Sequence, residues 1–330
     1  MAINIGRQLY FGFTKEGTRL TAESSASKWL PILSNSLDKV IDYTDDDSAF
    51  GVRHSMMKRH IEYSRVEGDI TVLPDATHAG DLFYYFFGSV SSAQESTSGA
   101  YKHTFSPLEN TQLPTFTGFY NLPNTGDLKA NGLHISQLQI SAEVNSRAEL
   151  TATVMGLSET TASSATPAYA DPTMPMQSRF LKVSYADAID DLESSGTLFD
   201  ARSVDLTISN NSELDPALGS LTPVDVYAKN FTIEGTISIV MKASTFETFR
   251  TAGTKKALRF EFENTAVPEL GTASGLYPMM RVDVGPTLFE ITRQKELNDV
   301  VMLELTINPE YDFSDSKYIT GYVQNEVASY

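Results

Sequence analysis

The stretch Arg65–Val72 alternates apolar and polar residues, and Thr232–Ile239, 167 residues later, does the same. Val66, Gly68, Ile70 and Val72 oppose Arg65, Glu67, Asp69 and Thr71; in the later stretch Ile233, Gly235, Ile237 and Ile239 oppose Thr232, Glu234, Thr236 and Ser238. A period of two puts successive side chains on opposite faces of a strand, so each stretch predicts a strand with one packed and one wet face. Similar runs recur along the chain between clusters of Gly, Pro, Asn, Asp and Ser, the pattern of an all-β sandwich or barrel.

The repeat extends beyond these strands. Each is followed by a short helical stretch, Ala79 to Phe87 closed by Gly88 and Ser244 to Ala252 closed by Gly253; Ser244 is of a type that caps helices and both glycines suit C-caps. Upstream, Ile41 to Gly51 matches Ile208 to Gly219; downstream, Glu149-Leu150-Thr151 matches Glu304-Leu305-Thr306. The downstream offset is smaller, which places extra loop residues of the first copy in Ser91 to Ala100. Four matches in one order predict an internal duplication. The expected fold is mainly β: two tandem sandwich or barrel units, each with one short flanking helix, plus extended terminal arms. The expected divisions are an N-terminal arm 1–34, a first unit 35–157, a linker 158–175 rich in Thr, Ser, Ala and Pro, a second unit 176–311 and a C-terminal arm 312–330.

Composition narrows the function. The 42 Asp and Glu outnumber the 25 Lys and Arg, for a formal charge of −17 over 330 residues. A protein that grips nucleic acid does so with Lys and Arg on phosphates, so tight nucleic-acid binding is disfavoured. Cysteine is absent, which removes disulfides, thiol catalysis and thiolate metal sites. The opening MAINIGRQLYFGF lacks the basic and apolar regions of a secretory signal, and no run approaches the about 18 apolar residues of a membrane span. A protein folded in the cytosol, without a membrane partner, is expected.

Catalytic patterns do not emerge. His54, His60, His78, His103 and His134 do not pair at zinc-hydrolase spacing, and they read as surface or strand histidines. Asp45-Asp46-Asp47 resembles the start of a calcium loop, but the position that needs Glu holds Arg53 or Met56, depending on the starting residue, so a solvated acidic loop is expected. No phosphate-binding glycine loop or nucleophile elbow is present, and the aromatic run Phe83 to Phe87 reads as packing rather than a ligand cage. The expectation is no enzyme, no cofactor and no metal.

The ordered pattern resembles the duplicated form of the tail tube protein of long-tailed bacteriophages. The residues that carry the resemblance are Arg59 to Leu73 with the Ala79 to Gly88 helix, the turn Leu113-Pro114-Thr115-Phe116, the long strands of Leu133 to Gly156, and in the second half Val204 to Gly219 and Val226 to Gly253. The resemblance implies a structural virion protein that forms rings stacked into a hollow tube. With two units per chain, three chains would supply the six positions of a ring more readily than six chains would. It also implies tape-measure and tail-completion proteins as partners, assembly in the host cytoplasm, and transient passage of double-stranded DNA through the tube.

The acidity then acquires a role: an acidic bore repels phosphate and lets DNA slide, where a basic one would hold it by counterion release. Candidate lumen-facing residues are Glu67 and Asp69 in the first copy and Glu234 in the second, because both copies keep a polar face opposite a packed one. The arms, with Tyr10, Phe11, Trp29, Phe313, Tyr318, Tyr322 and Tyr330, could drape over neighbouring subunits. Two other classes stay open at this level. One is a virion or secreted β-sandwich binding module for sugar or a host surface, which a clustered Trp/Tyr platform would mark; the other is a hydrolase, which would need a cleft with carboxylates of perturbed pKa.

Overall fold

The computed structural model describes residues 6–48, 51, 53, 58–95, 99–122, 126–163, 165–169, 175–242, 244–271, 274–294 and 300–330. His54, Met56 and part of the loop 91–100 lie outside them. The chain is mainly β, as the alternation predicts, with its strands antiparallel throughout.

A long sheet dominates. Its path runs Asp38–Asp46, Lys58–Val72, Glu149–Gly156, Gly126–Glu143, Ala201–Ser209, Thr232–Val240, Met302–Ile307 and Glu290–Gln294. One face is a continuous apolar surface: Val66, Ile70, Leu150, Leu138, Ile140, Leu206, Ile237 and Leu305 are all buried. Two further sheets cover that face. One holds Lys28–Leu30, Phe11–Lys15, Phe116–Leu122, the first half of Gly126–Glu143, and Ser158–Ala162. The other holds Thr197–Phe199, Leu181–Ala186, Lys256–Glu263, Met279–Thr287, Ile319–Asn325, Tyr101–Pro107 and Gly88–Gln94. The 18-residue strand Gly126–Glu143 belongs to both layers, its second half crossing into the long sheet.

The same succession of pairings occurs twice. In the long sheet, 38–46, 58–72, 149–156 and 126–143 are followed by 201–209, 232–240, 302–307 and 290–294 in corresponding roles. In the covering sheets, 28–30, 11–15, 116–122, 126–143 and 158–162 correspond to 197–199, 181–186, 256–263, 279–287 and 319–325. Gly68 and Gly235 mark equivalent places where the neighbouring strand crosses closely. A β-carbon on Gly68 would lie 2.5 Å from Leu37 Cα, and one on Gly235 2.6 Å from the Asp205 carbonyl oxygen.

The register refines the sequence matches. Val72 faces Leu150 and Ile239 faces Leu303, so Leu150 corresponds to Leu303 and not to Leu305. Likewise Val66 faces Lys39 and Ile233 faces Ile208, which pairs Ile208 with Lys39 instead of Ile41. Both slips are of two residues, the one shift that leaves an alternating pattern unchanged. The extra residues of the first copy form a whole hairpin, Gly88–Gln94 with Tyr101–Pro107, which pairs onto Ile319–Asn325.

The termini are more integrated than arms. Phe11–Lys15 and Lys28–Leu30 are sheet strands, and Phe11, Phe13 and Leu30 are buried. Ile319–Asn325 sits within its sheet between Met279–Thr287 and Tyr101–Pro107. Ser158–Ala162, in the expected linker, is also a strand. Phe11–Lys15 pairs with Phe116–Leu122, and Ile319–Asn325 with Tyr101–Pro107, across a hundred or more residues and beyond the reach of local pattern.

The first helix, Ala76–Phe87, starts three residues before the expected Ala79 because Asp75 caps it, its carboxylate accepting from the Thr77 and His78 N–H groups. Gly88, at φ 80°, closes it in the left-handed conformation that glycine adopts without a Cβ penalty. Phe83, Phe86 and Phe87 are buried; Phe86 and Phe87 meet Phe231, just ahead of the second copy's strand, at centroid distances of 5.7 and 6.3 Å. Asn210 Nδ2 donates to the Phe86 carbonyl at 3.0 Å, tying helix to sheet. The later helix is Thr245–Ala252, and a third, Asp191–Ser195, was not anticipated.

Candidate functional site: the polar face and the free edges of the long sheet

The face of the long sheet turned away from the core is hydroxylated and acidic. Register places Thr71, Thr151, Gln139, Thr207 and Glu234 in one row across five strands. A second row runs through Asp69, Thr153, Gln137, Ser209 and Thr232. Directly opposed residues share a face, so Glu67, Asp69 and Glu234 all project from the same side. They do not form a cluster: Glu234 lies four strand spacings from Glu67 and Asp69, about 19 Å at about 4.8 Å per step.

Each candidate has a local tether or none. Arg65 Nε donates to Glu67 at 2.5 Å, and the same guanidinium reaches Asp42. Asp69 accepts from Thr153 Oγ1 at 2.6 Å. Glu234 is exposed opposite Thr207. Neighbouring bonds knit the face: Thr71 and Thr151 hydroxyls meet at 3.1 Å, and Gln139 Nε2 donates to both Asp205 oxygens at 3.0 Å.

The face also carries carboxylates that sequence inspection missed. Glu143 and Glu149 in the first half, and Asp205, Glu290 and Glu304 in the second, fall at polar-face positions by register. Their strands alternate as clearly as Arg65–Val72; the missing signal was the register that aligns them. Among the described residues Arg65 lies on this face held by Glu67 and Asp42, Arg147 pairs with Glu149 at its margin, and Lys58 stands opposite Asp46 at the hairpin end. Carboxylates outnumber the cations, so the surface is net negative.

Among the described residues the sheet has two free edges: Asp38–Asp46 pairs with Lys58–Val72 alone, and Glu290–Gln294 with Met302–Ile307 alone, which leaves a row of backbone donors and acceptors open on each. In the middle of the sheet, Gly126–Glu143 pairs with Ala201–Ser209, Glu143 facing Ser203 and Gln137 facing Ser209. That contact joins the last strand of the first set to the first strand of the second.

Other candidate chemistry resolves into structure. Asp45 forms a two-pronged ion pair with Arg59, at 2.7 and 3.2 Å, and Asp46 accepts from the Ser48 N–H. Among the described residues no group of three or more His, Asp and Glu is placed to hold a metal ion. Three histidines are buried, not on the surface: His78 Nδ1 meets Asp75 at 2.8 Å, His103 Nδ1 meets Ser92 Oγ at 2.8 Å, and His134 Nε2 meets Ser212 Oγ at 2.6 Å. Burial pushes His134 down to about 4, so its ring is neutral at neutral pH. Among the described residues no helix is long and apolar enough to cross a membrane.

No curated protein matches the chain. A family model described as phage tail tube protein matches residues 6–313 of the 330. A two-layered antiparallel β protein with an acidic sheet face and two unpaired edges is thereby placed: the chain belongs to the phage tail tube protein family, a structural component of the virion tail.

Proposed function

We propose that three chains close into a ring by repeating between chains the strand contact that each already makes within itself, and that such rings stack into the tail tube. The observation that carries this reading is the join of Gly126–Glu143 to Ala201–Ser209. It links the end of one strand set to the beginning of the next, and the free edges are the corresponding beginning, Asp38–Asp46, and end, Glu290–Gln294. A head-to-tail contact of this kind closes when the rotation suits. Eight strands per chain give 24 in a trimer; at about 4.8 Å between strands and about 40° of tilt, the barrel backbone is about 48 Å across. Six chains would double that.

With the apolar face covered on the outside by the other sheets and helices, the polar face lines the bore. Glu67, Asp69 and Glu234 then face the lumen together with Glu143, Glu149, Asp205, Glu290 and Glu304. Phosphate is repelled along the whole wall, and double-stranded DNA passes without being held. The chain is read as two units, about 6–162 and 176–325, each larger than sequence alone suggested because its flanking strands join its own sheet. Its role is structural and not enzymatic; tape-measure and completion proteins are the other partners, and assembly precedes release from the host cytoplasm.

Cryo-electron microscopy of assembled protein tests this. The expected map has 24 inner strands per ring, with Asp38–Asp46 of one chain beside Glu290–Gln294 of the next. Rings of six chains, or a polar face turned outward, would overturn it.

A further inference from the structure

The strand Ala201–Ser209 carries complementary surfaces at its two ends. Beyond Ser209 the chain forms a loop braced by the small pair Glu213–Asp215 and Asp225–Tyr227, by Val224 N–H to the Asp215 carbonyl at 2.9 Å, and by Ser64 N–H to the Leu221 carbonyl at 2.7 Å. Despite that bracing, Leu218 is fully exposed, Leu221 60% and Val224 46% exposed. Of its carboxylates, Asp225 pairs with Arg19 and Glu213 with Lys229, and among the described residues Asp215 forms no ion pair. An ordered loop tipped with exposed leucines costs solvation free energy unless something covers it.

At the other end of the same strand, about 27 Å away at about 3.3 Å per residue, lies a groove of about 740 Å³ between the turn 143–147 and segments 177–183 and 198–204. Its wall includes Leu198, 65% exposed, and Val144, 44% exposed. Its rim carries Arg147, Arg179, Lys182 and Arg202 beside Glu143 and Asp200; Arg147 pairs with Glu149 and Lys182 with Glu263. Among the described residues no carboxylate forms an ion pair with Arg179 or Arg202. An apolar tip beside the carboxylate of Asp215 lies at one end, and an apolar groove beside the guanidinium groups of Arg179 and Arg202 at the other.

The arrangement recurs in the first copy. A second groove includes Pro31–Asn35, where the first includes Asp200–Val204, and at the far end of that edge the hairpin presents Tyr43 and Ile61, each 51% exposed. A surface repeated with the duplication belongs to a contact that is itself repeated.

We infer that the loop 216–224 of one chain docks into the groove beside Leu198 on a second copy of this chain, end to end along the strand direction. The inference rests on the ring reading and specifies how one ring meets the next. Leucine burial supplies the attraction, and the guanidinium groups of Arg179 and Arg202 set the carboxylate of Asp215 beside the apolar contact.

The chain has no cysteine, so engineered thiols are unique. Full-length Leu218→Cys and Leu198→Cys proteins would be mixed under assembly conditions and treated with a short bifunctional thiol cross-linker. Cross-linked dimers confined to the mixture are expected, together with at least a tenfold loss of tubes, but not of single rings, for Leu218→Asp. Tubes visible in the mixture with no 198–218 product, or undiminished tubes of Leu218→Asp, would overturn the docking and leave the ring reading intact. Wild-type protein that stays monomeric under assembly conditions would overturn both.

Discussion

Tyr330 seats its phenol ring against Gly80 of the first helix, so closely that a β-carbon at Gly80 would overlap Cζ and the hydroxyl. The hydroxyl is fixed on both sides, accepting from Asn325 Nδ2 at 2.6 Å and donating to the Thr77 carbonyl at 3.2 Å. Gly80→Ala should gain about 1 kcal/mol of helix propensity and lose more to overpacking, for a net destabilisation of about 1 to 2 kcal/mol. In a Tyr330→Ala background the same change should become neutral or stabilising. Urea unfolding of the four proteins gives the coupling directly; additive effects would show that the ring does not fill the space above Gly80.

A sheet glycine and a helix-closing glycine give a sharper contrast. At Gly68 the obstructing atoms are backbone, Leu37 Cα and N and the Ser36 carbonyl carbon, which cannot swing aside. Gly68→Ala should therefore separate 38–46 from 58–72 and cost roughly 3 kcal/mol or prevent folding. Gly253→Ala, where nothing lies within 4 Å but φ is 66°, should cost only about 1 kcal/mol. Thermal unfolding of soluble protein compares the two.

Gly68 and its counterpart Gly235 mark how far the sequence could be read. Alternation revealed the strands and their wet faces because period two is local, and Gly68 and Gly235 stood at matching places in it. Register was not local: a shift of two residues preserves the pattern, so Leu150 was matched with Leu305 although the sheet pairs it as the equivalent of Leu303. The acidic face was legible only at Glu67, Asp69 and Glu234, because Asp205 and Glu304 reach it through pairing with strands far away in sequence. Phe11 and Ile319 looked like parts of tails for the same reason. The cap at Asp75 was legible in principle, lying just before a helical run, but the apolar signal began only at Ala79.

The buried histidines predict a pH dependence. His134 has Nδ1 buried without a hydrogen-bond partner, and burial holds its pKa at about 4. The unfolded chain, with a histidine pKa of about 6.5, binds the proton more readily, so stability falls as pH drops from about 6.5 to about 4. The loss over that window is about 3 kcal/mol. His78 acts in the opposite sense and in another window. Burial would lower its pKa, but the hydrogen bond and charge of Asp75 outweigh burial and raise it, so its contribution is present below about 6.5 and fades as pH rises through its folded value. Asp81 and Asp283, raised by burial, are common to wild type and variant and cancel in the difference. The wild-type minus His134→Gln stability difference should therefore slope between pH 4 and 6.5 and be flat above; a flat difference throughout would refute a neutral buried ring.

Reversing the charge of the sheet face tests the bore. Glu67→Lys, Asp69→Lys and Glu234→Lys together change each chain by six charges while leaving the buried face, Val66, Ile70 and Ile233 among it, untouched. Thr153 loses a partner and Arg65 one of two, so a modest stability loss is expected, and tails must first be seen intact by electron microscopy. In such phage the DNA meets rings of ammonium groups, which release counterions from phosphate and hold it. Ejection triggered in vitro should slow at least tenfold at about 50 mM salt and recover toward about 200 mM, because counterion release weakens steeply over that range. The Gln triple variant, which removes charge without reversing it, should eject nearly as fast as wild type. Unchanged ejection from intact Lys tails at low salt would mean that this face looks away from the genome.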